Sequence, residues 1–318
     1  MKPLIFSLGT NDALAERIAK TVGTSLSPIT LRAFADGEQY VQFNENLRGR
    51  NVYLVQSTNG PAENWMTIFL ALDAARGSSA REVTVVIPYY SYGRQSKKGK
   101  PREPISARTM ANIIEALGAD RVITMDLHED SIAGFFRSTM LENLYARPVF
   151  IERLQEFFKQ QIKEDTLVLV SPDAGGVKRA QSYARRLMPN AELAILHKER
   201  KVPNQVAQMK LIGDVKGKTA LIIDDIFDTC GTLSRAVDLL IEHGAKEVYA
   251  AGTHGVFSTS ACGVIDQSPL KKVFITDTLT LKQPVSEKVE VISVGELLGE
   301  AILRIEKNES LSALFETA

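Results

Sequence analysis

Short apolar runs rich in β-branched residues alternate along this chain with longer stretches whose apolar positions recur every three or four residues. The first pattern predicts buried strands at 52–56, 83–88 and 121–126, and the second predicts amphipathic helices at 63–75 and 106–117. The alternation returns further on, with strands at 166–171, 192–196, 220–224 and 247–252 and helices at 176–187 and 233–243. Apolar strands separated by helices argue for α/β architecture with mostly parallel sheets. The two halves rhyme. Each offers strand, helix, strand, basic loop and then a strand ending in acid: Ile123-Thr124-Met125-Asp126 in one, Leu221-Ile222-Ile223-Asp224 in the other. This predicts two domains of one fold, 1–147 and 148–303, joined near 146–151. A tail, 304–318, is polar and then apolar at Leu311, Leu314 and Phe315, and is expected to dock on the first domain.

Composition adds bounds rather than detail. The 318 residues suffice for two good cores, and 44% hydrophobic with 24% charged residues describes an ordinary globular protein. The 38 basic and 38 acidic side chains cancel, so bulk charge predicts neither a nucleic-acid nor a membrane surface. Any anion site must come from local clustering. No apolar run approaches the ~20 residues that span a bilayer, and the stretch Met1–Ser7 is too short for a signal peptide. Cys230 and Cys262 offer no disulfide framework, which points to a reduced, cytoplasmic setting.

The chemistry concentrates at 221–233. An apolar run, Leu221-Ile222-Ile223, ends in Asp224 and Asp225; the turn Asp228-Thr229-Cys230-Gly231-Thr232 follows, and then a helical pattern with Leu233, Ala236, Val237 and Leu240 on one face. A parallel strand thus delivers carboxylates to its C-terminal end, where open α/β sheets keep their ligand crevice. The turn points backbone N–H groups and two hydroxyls at an anion lying on a helix N-terminus. Acids for sugar hydroxyls beside a phosphate cradle suit a ribose phosphate. The bland alternative is an ordinary strand–helix turn with solvated acids.

Other segments are weaker one by one. His128, among Asp126, Glu129 and Asp130 just past a strand end, suits a metal or phosphate, although such a His is more often structural. Ser171-Pro172-Asp173-Ala174-Gly175-Gly176-Val177-Lys178-Arg179 sets an acid at a strand end, small residues for close approach and two cations on the first helical turn; a Pro/Gly turn with a solvated helix start is its rival. The loops 93–102 and 197–201 carry the cation density that polyphosphate needs, with Lys198 and Arg200 alternating on an extended segment. Considered alone, each is more often solvated surface. Phe34-Ala35-Asp36-Gly37-Glu38 either stacks and hydrogen-bonds a purine or is a simple turn.

Residues 224–232 resemble the phosphoribosyltransferase-type signature. Further stretches extend the likeness: Phe34 to Glu38, Pro88 to Gln95, Pro104 to Ala107, Asp126-Leu127-His128 with Gly134-Phe135-Phe136, Ser171 to Ala180, Lys198-Glu199-Arg200, Gly213 to Gly217 and Asp224 to Leu233. Together, in this order, they resemble the ribose-phosphate pyrophosphokinase family over nearly the whole chain. The resemblance implies two phosphoribosyltransferase-type domains, each a mostly parallel sheet flanked by helices. It implies transfer of the β,γ-diphosphoryl group of ATP to the C1 hydroxyl of ribose 5-phosphate, with Mg²⁺ as cofactor. Asp228, Thr229, Cys230, Gly231 and Thr232 would hold the 5-phosphate, Asp224 and Asp225 the ribose hydroxyls, and Arg200 would also touch this substrate. Arg94, Gln95, Lys97 and His128 would bind ATP, while Phe34, Asp36, Gly37 and Glu38 would build an adenine pocket from a neighbouring subunit. His128 and Asp173 correspond to metal-associated positions, and Lys198 and Arg200 to catalytic residues on a mobile loop. The implied assembly is a homo-oligomer, dimers forming a hexamer, with no nucleic-acid or membrane partner.

Departures from the family pattern fall at Ser96, where an acid is usual, at Cys230, where Gly or Ala is commoner, and at Ala133 and 137–141. The last two lie where the family builds an ADP and phosphate regulatory site, of which Arg48, Ser310 and Ser312 still match. Two rivals stand beside the diphosphotransferase reading. A phosphoribosyltransferase would share 224–232 but is usually one domain; a silent regulatory subunit would not need Lys198, Arg200, His128 and Asp173 intact.

Overall fold

In the computed structural model, the described residues are 2–188, 191–199, 208–282 and 284–316. They divide into two compact units. The first draws on 1–145, 277–280 and 293–314, the second on 146–276, 281–292 and 315–318.

The first unit contains β1 (Leu4–Ser7), α1 (Asp12–Val22), β2 (Ile29–Ala33), β3 (Gln39–Phe43), β4 (Asn51–Val55), α2 (Glu63–Gly77), β5 (Glu82–Ile87), α3 (Ser106–Ala116), β6 (Arg121–Met125) and β7 (Met140–Leu144). Its sheet runs β1-β4-β5-β6-β7 with every pairing parallel, while β2 and β3 form a separate antiparallel hairpin. Val52, Leu54, Val83, Val85, Ile87 and Val122 are fully buried. They pack with Trp65, Ile68, Leu72 and Ile114 from the helices into one core. Each such side chain removed from water contributes roughly 1.5–3 kcal/mol. The ends of α1 follow from local chemistry: the Asn11 side chain accepts the Leu14 N–H, and Gly23 closes the helix at φ 77°.

The second unit contains α4 (Arg147–Phe157), α5 (Lys159–Lys163), β8 (Leu167–Ser171), α6 (Val177–Leu187), β9 (Glu192–Glu199), β10 (Gln208–Ile212), β11 (Thr219–Phe227), α7 (Gly231–Glu242), β12 (Glu247–Gly255), α8 (Ala261–Gln267), β13 (Lys272–Thr276) and β14 (Val289–Ile292). The sheet order is β10-β9-β8-β11-β12-β13-β14, with only the β9–β10 pairing antiparallel. The protein is therefore α/β, with a mostly parallel, helix-flanked sheet in each unit. β11 lies at the centre, parallel to β8 on one side and β12 on the other. It runs to Phe227, three residues past its predicted end, so Asp224 and Asp225 are strand residues and the turn opens at Asp228.

One assignment from the sequence needs correction. The helix α9 (Gly295–Glu306) follows β14 in the chain, and the pattern places everything to residue 303 in the second domain. In the structure it packs on α1, inside the first unit. A Cβ at Gly295 would lie 2.6 Å from Arg17 Cβ, and one at Gly299 2.5 Å from Thr21 Cβ, so these positions admit only glycine at this spacing. At the far end of α9, Glu306 accepts hydrogen bonds from Asn51 and from the Tyr53 hydroxyl, both at 2.8 Å. Chain order misleads here because the contact that decides membership joins residues nearly 300 apart.

Candidate active site

The C-terminal end of β11 gathers the second unit's acids. Asp225 is 3% exposed, and Arg179, one turn into α6, donates to its carboxylate at 3.1 Å. The same guanidinium nitrogen lies 3.6 Å from Asp224, and the Asp225 N–H donates to Asp224 Oδ1 at 2.9 Å. Burial, and then the negative charge of Asp225 beside it, push the Asp224 carboxyl up to about 8, with Arg179 pulling the other way. Asp224 therefore holds its proton more tightly than an exposed aspartate does. The sequence marks Arg179 only as a cation at the start of a helix and does not indicate its partner. Its partner lies 46 residues away, and only the fold joins them.

Beyond β11 the turn 228–230 leads into α7. Cys230 stands at the N-cap in the left-handed region (φ 60°), gives the helix no side-chain cap, and is buried. The first-turn N–H groups of α7 are orphan donors by helix geometry, and its positive pole adds to their pull on an anion. Burial pushes the Cys230 thiol up to about 12, with Cys262 and Asp228 adding smaller contributions. The thiol stays neutral and brings no charge to the cradle. Thr229 and Thr232, which carry hydroxyls, are exposed in the same stretch as these amides. Asp228 accepts a hydrogen bond from Ser258, another residue absent from the candidates. Asp173, after β8, is exposed; its Oδ1 accepts the Gly176 N–H at 2.9 Å and its carbonyl the Ser171 hydroxyl at 2.7 Å, which shapes the entry to α6.

Lys198 lies on β9, paired with Met209 across the antiparallel edge. Its side chain and all of Arg200 lie outside the described residues. The extended backbone expected at Lys198 is present as strand.

The first unit holds the remaining candidates. Phe34 to Glu38 is the tip of the β2–β3 hairpin, closed by Phe34 N–H to Glu38 O (2.8 Å) and Gly37 N–H to Phe34 O (2.9 Å). Phe34 is 48% exposed, edge-on to Tyr40, and Arg32 lies over both rings. Arg94 and Gln95 are exposed on the loop before α3. The Gln95 side-chain oxygen accepts the Ser106 hydroxyl at 2.5 Å, and its backbone carbonyl accepts Ala107 N–H. Lys97 reaches Glu129 at 3.1 Å, which ties this basic loop to the segment carrying His128. His128 itself is exposed past the end of β6; the adjoining Leu127 N–H is held by Asn143 at 3.1 Å. Ser96 is buried.

Among the regulatory candidates, Arg48, Ser310 and Ser312 are exposed. The Arg48 N–H donates to Asn46, and the Ser310 carbonyl accepts from Arg304. The segment 137–139 shows a feature with no sequence signal. Its three successive N–H groups and the Ser138 hydroxyl converge on one oxygen of Glu115, at 2.5–3.0 Å. These bonds hold the Glu115 carboxyl down to about 2. Among the described residues, no three His, Cys, Asp or Glu side chains group as a metal cage.

Residues 3–118 match the family described as the N-terminal domain of ribose phosphate pyrophosphokinase, and 200–316 the phosphoribosyl synthetase-associated domain. The chain is 43% identical to a ribose-phosphate pyrophosphokinase of Fusobacterium nucleatum over 314 residues, 98% of this chain and 97% of the relative. It is 43% identical to the enzyme of that name from Aquifex aeolicus over 307 residues, 96% of each. Its fold is similar to the crystal structure of phosphoribosylpyrophosphate synthetase from Mycobacterium smegmatis, with a TM-score of 0.90, 35% identity, and coverage of 97% of this chain and 100% of that one.

Proposed function

Starting from a chain that belongs to the ribose-phosphate pyrophosphokinase family of diphosphotransferases, we propose the reaction and the part each residue plays in it. The β,γ-diphosphoryl group of ATP passes to the C1 hydroxyl of ribose 5-phosphate, giving phosphoribosyl diphosphate and AMP. The observation that carries this is the meeting, at one strand end, of the Asp224–Asp225 pair with the uncapped N-terminus of α7. The acids accept the sugar hydroxyls while the amides of 229–232 and the Thr229 and Thr232 hydroxyls take the 5-phosphate. The ring is thereby fixed with C1 presented outward. Arg94, Gln95 and Lys97 bind the ATP phosphates, and the Phe34–Glu38 tip supplies an adenine surface to a neighbouring copy in a homo-oligomer, a hexamer by family likeness.

Asp173 and His128 are the residues we assign to Mg²⁺–ATP: each, taken by itself at the end of a strand in its own unit, exposes a donor that a divalent cation accepts. So sparse a protein contribution fits Mg²⁺, which keeps waters and shares phosphate oxygens. When bound, it neutralises charge on the transferring diphosphoryl group. The chain's own contribution to the step is positioning and cationic stabilisation by Lys198 and Arg200 as the α-phosphate leaves with AMP. No described helix is long and apolar enough to cross a membrane; the cytoplasm is the proposed location.

The deciding experiment is AMP release from ATP, with and without ribose 5-phosphate and Mg²⁺. Release that requires both is expected, and Lys198→Ala or Arg200→Ala should lower turnover roughly 10²–10³-fold. Diphosphate release from phosphoribosyl diphosphate and a nucleobase, with no AMP formed from ATP and ribose 5-phosphate, would instead identify a phosphoribosyltransferase.

A further inference from the structure

β11 and β12 run side by side to the register pair Phe227–Gly255, so the loops that leave them are neighbours. The second loop is fastened to the first at its root: the N–H groups of Val256 and Phe257 both donate to the Phe227 carbonyl, at 2.8 and 3.1 Å. It then takes a costly path. Phe257 (φ 42°) and Thr259 (φ 57°) both lie in the left-handed region, which aromatic and β-branched residues avoid. Such strain persists only where the surroundings over-determine it. Here the Phe257 ring sits against Gly255, where an added Cβ would meet it at 3.2 Å. Between the two strained residues lies Ser258, half-buried, and its hydroxyl donates to the Asp228 carboxylate.

We infer that Ser258 is a positioning residue for ribose 5-phosphate, acting through Asp228; the inference rests on the phosphate-cradle reading of 228–232. An aspartate two residues before a helix N-cap is itself a competent anion for that helix's first-turn N–H groups. Glu115 shows in this same molecule what a carboxylate does when it reaches three successive amides. Ser258 fixes the orientation of the Asp228 carboxylate, so the α7 amides meet substrate phosphate rather than the protein's own acid. The strained loop is the frame that holds the hydroxyl in place.

Ser258→Ala is expected to raise the KM for ribose 5-phosphate about tenfold, as loss of a hydrogen bond to a charged group implies. Turnover and the KM for ATP should change less than about twofold, and Ser258→Thr should restore most of the loss. In an Asp228→Asn background the same Ala substitution should cost less than about twofold, because there is no longer a carboxylate to orient. A KM for ribose 5-phosphate that is unmoved in Ser258→Ala, or an equal loss in both backgrounds, would overturn the inference. So would a parallel loss of ATP affinity or a lowered melting temperature that Ser258→Thr fails to rescue. If Thr232→Val alone leaves ribose 5-phosphate binding intact, the cradle assignment itself falls, a result distinct from a silent Ser258→Ala.

Discussion

Asp224 carries a conflict between folding and function. Its carboxyl is pushed up to about 8 in the fold, against about 3.9 for an unfolded aspartate. The folded state therefore holds a proton that the unfolded chain has released. Stability from this group is complete below about pH 4 and is lost as pH rises through about 8. Asn preserves the shape and removes the titration, so Asp224→Asn should raise the melting temperature of the unliganded protein by about 2–4 °C at pH 8, and by less at pH 5. It should also weaken ribose 5-phosphate binding. A melting shift equal at both pH values would contradict the proposed origin. At this scale the sequence was readable where chemistry is contiguous, as in Asp224-Asp225 and 228–232. It was mute where partners are remote, as for Arg179 with Asp225, Ser258 with Asp228, and Glu115, whose donors are backbone amides common to any sequence.

Elements show the same division. β11 and its neighbours were legible because buried parallel strands write long apolar runs. The β2–β3 hairpin does alternate, with Ile29, Leu31, Val41 and Phe43 packed against the core, but two five-residue strands with no fully buried position write too short and weak a run to stand out. β9 was legible only in part, since it continues through Lys198 to Glu199. The Gly295-x-x-x-Gly299 spacing of α9 is visible in the sequence, but its partner is not. Its packing is directly testable. Gly299→Val places a branched side chain where even a Cβ meets Thr21 at 2.5 Å, and overpacking of this kind costs about 1–3 kcal/mol. Its melting temperature should fall by several degrees. Gly263→Ala, inside α8 with open space around the new methyl, should be neutral or stabilising by helix propensity. Equal melting curves for the two variants would refute close α1–α9 packing.

At the scale of the whole molecule, a prediction concerns regulation. In the region 133–142, Ala133 and the stretch 137–141 depart from the family pattern, and the amides of 137–139 are engaged by Glu115. Arg48, Ser310 and Ser312 are exposed. ADP is therefore expected to inhibit mainly by competing with ATP. Steady-state kinetics at saturating ATP check this: inhibition that persists and deepens with ribose 5-phosphate would establish a working second site for ADP.

The return of α9 to the first unit also has a consequence in time. A ribosome completes residue 145 long before residue 306, and the first unit's α1 surface has no partner until α9 has been made. At about 5–20 residues per second, the intervening stretch of roughly 160 residues takes on the order of 10–30 s. For that interval the nascent chain shows the face of α1 that Gly295 and Gly299 will later cover. Maturation of the amino-terminal half is thus paced by synthesis of the carboxy-terminal half, and a message cut short after the first unit's sheet would yield a protein lacking a wall, not an independent half.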